Sequence, residues 1–79
     1  MARLRGFEEG TQNVRVHPTE VDCFHQVVTG SDGARFLHLT TFGSDDRHSG
    51  PKSSQSLQLD EMTARQLMEI IRVTFPGIG

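Results

Sequence analysis

The chain has 79 residues, only 34% of them apolar, with neither Trp nor Tyr. That is a lean supply for one core, so a single domain is what the length allows, and stability gained from a second chain is expected. Eight Lys and Arg against ten Asp and Glu leave a net charge of −2, which excludes the global basic field that holds proteins on duplex nucleic acid or anionic membrane. One cysteine, Cys23, excludes an internal disulfide. The N-terminal Met1–Gly6 lacks the apolar run of a signal peptide, and no stretch approaches the ~20 apolar residues that span a bilayer. A cytoplasmic protein with no membrane partner is expected.

Residues 1–12 read as a flexible polar arm, since Glu8-Glu9-Gly10-Thr11-Gln12 has neither helical nor strand period and only Leu4 and Phe7 can anchor it. Residues 13–79 read as one domain. From Asn13 the pattern alternates, with Val14 and Val16 on one side and Arg15 and His17 on the other, and this predicts a first strand. Pro18-Thr19-Glu20 makes a turn. A second strand follows over Val21–Val28, with Val21, Cys23, His25 and Val27 on one face and Asp22, Phe24, Gln26 and Val28 on the other. Thr29-Gly30-Ser31-Asp32-Gly33 is a turn of hairpin length. The third strand, Arg35–Phe42, sets Leu37, Leu39 and Thr41 against Phe36, His38, Thr40 and Phe42.

After a polar loop from Gly43 to Ser53, a short strand places Leu57 and Leu59 opposite Ser56 and Gln58. Asp60 then stands where a helix N-cap belongs, and Glu61 suits the positive end of the helix dipole. The helix is expected from Glu61 to about Thr74, stopped by Pro76-Gly77. Ala64, Leu67, Met68, Ile71 and Phe75 form its core-facing stripe. Met62, Ile70 and Val73 widen that stripe beyond what one sheet face needs and mark a dimer contact, unless they pack on the edge of their own sheet. The fold class is therefore α+β, a four-stranded antiparallel sheet followed by one C-terminal amphipathic helix, with the helix covering the Val/Leu face.

The opposite face is the most informative feature. Arg15, Phe24, Phe36, His38 and Phe42 would lie there with Gln26 and Gln58, and the loop would add Arg47 and Lys52. Rings interleaved with cations and amides suit single-stranded nucleic acid, whose bases stack on aromatics while cations meet phosphates. The same three Phe rings could equally be a second apolar layer, covered by the arm or a partner. Either way this face is an interaction surface.

Catalysis has little support. Gly50, Lys52 and Ser53 echo the end of a phosphate loop, but Pro51 separates Gly from Lys and a strand follows instead of a helix. Asp45 and Asp46 are adjacent in sequence, and adjacent residues on an extended backbone would point to opposite sides, which does not suit a two-metal site. Cys23 and the four histidines lack metal-ligand spacing. No enzyme, cofactor or metal is expected.

Gly50-Pro51-Lys52 before Ser56-Leu57-Gln58-Leu59-Asp60, followed by the helix carrying Leu67 and Ile71, resembles the positive-cofactor-four type of transcriptional coactivator. The resemblance runs from Phe36 to Phe75, about half the chain, and is one of pattern. It implies a dimer whose sheets bind single-stranded DNA in transcription regulation. The chain departs from that family in lacking a run of Lys and Arg along the binding strands. The leading expectation is a homodimeric module that binds single-stranded or unpaired nucleic acid. The alternative is a protein-interaction accessory subunit of a larger complex, using the same face.

Overall fold

The computed structural model describes residues 1–42 and 53–79. Its elements in chain order are β1 (Ala2–Arg3), β2 (Cys23–Thr29), β3 (Arg35–Phe42), β4 (Ser53–Leu59), α1 (Glu61–Thr74) and a short 3-10 turn at Pro76–Ile78. The strands form one sheet in the order β1-β4-β3-β2.

β2 and β3 make the hairpin expected from their alternation, paired antiparallel from Cys23 opposite Thr41 to Thr29 opposite Arg35. The turn closes through Gly30 N–H donating to the Ala34 carbonyl at 2.7 Å and Gly33 N–H donating to the Gly30 carbonyl at 3.0 Å. Asp32 accepts from the Ala34 N–H at 3.1 Å. Gly33 has φ +85°, a left-handed conformation that glycine adopts without steric cost. β4 pairs antiparallel with β3, Leu37 opposite Leu59 and Leu39 opposite Leu57, with a register shift between Thr41 and Phe42.

The sheet is mixed, not purely antiparallel. β1 runs parallel to β4, Ala2 beside Leu57 and Arg3 beside Gln58, and the Leu4 N–H donates to the Gln58 carbonyl at 2.9 Å. The residues expected as a loose arm thus supply the fourth strand. Asn13–His17, expected as the first strand, forms none, and residues 8–22 are exposed throughout. Alternation records which side chains can share a face. It does not supply a partner backbone, and a strand without a ladder leaves its N–H and C=O groups to water.

The helix begins as its sequence dictates. Asp60 is the N-cap and forms a reciprocal box with Thr63. Thr63 N–H donates to Asp60 Oδ1 at 2.9 Å, while the Asp60 N–H donates to Thr63 Oγ1 at 2.9 Å. Thr63 is 1% exposed with its hydroxyl bonded, so a buried polar side chain costs little here. The backbone and side-chain hydrogen bonds from Thr63, helped by the Arg3 charge, hold the Asp60 carboxyl below its ordinary range. On the outer face, Arg65 donates to Glu61 at 2.6 Å.

Packing departs from expectation more than backbone does. Among the described residues, Leu59, 1% exposed, is the one fully buried large apolar side chain. Ala64, Leu67 and Ile71 are half-buried, as are Leu4 and Phe7, but Met68 and Phe75, expected in the same core-facing stripe, are exposed. The helix covers the Val/Leu face only at its β4 side. Across the row Leu59, Leu37, Val27, exposure rises from 1% to 37% to 55%, so cover is lost with distance from β4. The radius of gyration, 15.0 Å, exceeds the ~12 Å of a compact chain this long.

Two stability tests follow. Leu59→Ala should cost about 2–5 kcal/mol in urea unfolding, against less than about 0.5 kcal/mol for Val16→Ala in the exposed segment. Because the folded Asp60 pKa is depressed, its contribution is present above the ordinary value of 3.8 and is lost as pH falls through the folded value. Asp60→Asn, which keeps the acceptor oxygen, should flatten that acid limb in a pH series of melting curves.

Candidate functional site

Residues two apart on a strand share a face, so the register fixes the composition of each side. On the side away from the Leu59 row, one polar row crosses all four strands: Arg3, Gln58, His38 and Gln26 are successive neighbours. Phe36 and Val28 make the row on the turn side. Ser56, Thr40 and Phe24 make the next row on the other side, and Phe42 lies beyond them.

The aromatic residues are thus placed in two groups. Phe24 and Phe42 form an edge-to-face pair with centroids 5.1 Å apart and planes at 86°, the geometry in which a ring's positive edge meets another's negative face. Phe24 is 55% exposed, and Phe42 and Phe36 are half-buried. The Arg3 guanidinium lies over the Phe36 ring at 5.4 Å from its centroid, within the range of cation–π attraction. The two groups are separated along the strands by about 13 Å, a length of roughly four stacked nucleotides.

Between them, Gln58 Nε2 and His38 Nδ1 lie 3.0 Å apart. With the amide nitrogen as donor, Nδ1 is the acceptor. Thr40 Oγ1 donates to the Gln55 carbonyl at 3.2 Å, tying this face to the β4 backbone beside the register shift. Among the described residues, the face therefore combines exposed aromatic surface, the Arg3 guanidinium and a row of hydrogen-bonding side chains. It offers ring surfaces for stacking and polar groups for hydrogen bonding.

The residues named from sequence divide as follows. Phe24, Phe36, His38 and Phe42 come together on this face, with Gln26 and Gln58 between the rings. Arg15 lies in the exposed irregular segment before β2, outside the sheet. Arg47 and Lys52 fall outside the described residues. Arg3 is the site residue that sequence reasoning missed. Its alternation with Leu4 is too short to be read as a strand, and only the parallel pairing with β4 brings it to Phe36. Met62, Ile70 and Val73 are exposed on the helix. Cys23 and His25 share the other face by strand parity, and among the described residues no three His, Cys, Asp or Glu side chains come together as a metal site. No described helix is long and apolar enough to cross a membrane.

No protein-family model, curated protein or solved structure matches the chain. The fold and site define an α+β chain with a four-stranded mixed sheet, a C-terminal helix and an aromatic, polar face open to solvent.

The ring pair can be tested alone. Phe42→Leu keeps most of the apolar volume and should cost about 0.5–1.5 kcal/mol in denaturant unfolding, a penalty that disappears when Phe24 is already Leu.

Proposed function

We propose that the chain is a binding module for single-stranded or unpaired nucleic acid, held on the face that carries Phe24, Phe36, His38 and Phe42. The observation that supports this most is the Arg3 guanidinium stacked over Phe36. It sets a phosphate-seeking cation beside a ring on which a base can stack, with a second aromatic group several nucleotides further along. Gln26, Gln58 and His38 supply donors and acceptors for unpaired base edges between the two groups. A net charge of −2 is compatible with such a site, because stacking carries the affinity where cations are few. The binding should accordingly be modest, tolerant of sequence and weak toward duplex, whose bases cannot reach the rings.

Fluorescence anisotropy with a labelled single-stranded oligonucleotide at low salt tests the reading. Phe36→Ala and Phe24→Ala should each lose about 1–3 kcal/mol of binding. Arg3→Ala should in addition reduce the slope of log affinity against log salt by about one unit. If low salt yields no binding, or if duplex binds as well as single strand, the aromatic face instead belongs to a protein partner of which this chain is an accessory subunit.

A further inference from the structure

The polar row between the two aromatic groups contains a bond that one proton would break. His38 stands between Gln58 of β4 and Gln26 of β2, and the Gln58 amide Nε2 meets its ring Nδ1 at 3.0 Å. An amide nitrogen only donates, so Nδ1 must keep its lone pair free to accept. Both side chains are half-buried. Among the described residues the Gln58 Oε1, at the other end of the same planar group, has no donor. No buried side-chain oxygen or nitrogen lacks a partner, so Oε1 is open to solvent.

Protonation undoes this arrangement. A histidine with both ring protons has two donors and no acceptor, which would leave Gln58 Nε2 and His38 Nδ1–H as two donors face to face. A half-turn of the amide about its last bond relieves the clash. Oε1 then accepts from Nδ1–H, and Nε2 turns outward. One proton thus changes the outward group of Gln58 from an acceptor to a donor and adds a positive charge beside it.

The neighbours decide which ligand favours that change. On β1, Arg3 lies next to Gln58, and Asp60 at the helix cap is close enough to feel the Arg3 charge. On β2 the neighbour is the neutral Gln26, and Phe36 and Thr40 share the face on β3 itself. Among the described strand residues of this face there is no carboxylate to partner a second cation. A phosphate supplies that partner. Arg3, Gln58 and a protonated His38 would present a run of donors, which suits phosphate oxygens.

We infer that His38 and Gln58 form a proton switch in the aromatic face. Uptake of a proton from solvent by His38 turns the Gln58 amide outward as a donor and strengthens the hold on phosphate. The amide turn is a property of the chain alone, whereas its effect on binding rests on the nucleic-acid reading proposed above.

Two measurements separate these parts. Histidines take up their proton between about pH 8 and about pH 5. In nuclear magnetic resonance of the free chain over that range, the Gln58 side-chain amide signals should move in step with the His38 ring. Amide signals that ignore the His38 titration overturn the switch, and this readout needs no variant. In anisotropy at low salt, affinity for a labelled single-stranded oligonucleotide should rise about tenfold from the upper to the lower pH, with the salt slope steeper by up to about one unit. His38→Gln, which cannot take up the proton, should abolish that rise, while His25→Gln on the opposite face should keep it. A rise that persists in His38→Gln overturns the inference. Oligonucleotide binding absent at both pH values overturns the nucleic-acid reading, and the free-chain signals still decide the amide switch.

Discussion

A sheet one layer thick has two faces, and a helix of fourteen residues, Glu61–Thr74, can seal only part of one. Everything else in this protein follows from that shortage of cover. The helix is fixed at its N-terminus by the Asp60–Thr63 box, immediately after the last sheet residue, so it closes over Leu59 and little more. Burial is therefore concentrated at the junction of β4 and α1 and decays across the sheet. The parallel strand β1 reinforces that junction, because its backbone bonds continue β4 to the point where the helix starts and bring Arg3 near Asp60.

The two faces of the sheet differ in chemistry. The Leu57, Leu59, Leu37, Leu39 and Val27 side is aliphatic, and such surface gains nothing from water; it gains roughly 25 cal/mol for each Å² removed from it. The Phe24, Phe36, His38, Gln58 and Arg3 side mixes rings with hydrogen-bonding groups, so it tolerates solvent and can recognise a polar ligand with a flat apolar part. The rigid element between them is the β2–β3–β4 ladder, which holds ring positions by backbone pairing instead of by a core.

Much of this was legible in the residues. The Arg35–Phe42 alternation placed Phe36, His38 and Phe42 together, the Gly30–Gly33 signal marked the hairpin, and Asp60 marked the helix start, since these are local rules of pleat, turn and cap. Asn13–His17 misled because its alternation is real but nothing pairs with it. β1 was hidden because two residues carry no readable period and parallel pairing joins the distant ends of the chain. Thr63 at the third helical position, in place of the acid of the usual capping box, gave no strong signal either. The helix stripe was read correctly as apolar, but Met68 is exposed because apolar spacing tells which side could be covered and not how much sheet lies under it.

The proposal that the aromatic face binds single-stranded nucleic acid is tested most directly by a nuclear magnetic resonance titration of the full chain with a single-stranded oligonucleotide. The account predicts that resonances of Phe24, Phe36, His38 and Phe42 and the Arg3 guanidinium shift as ligand is added, while those of Val27, Leu37 and Leu39 stay in place. Shifts centred on Val27 and Leu37, with the aromatic rings unmoved, would contradict it.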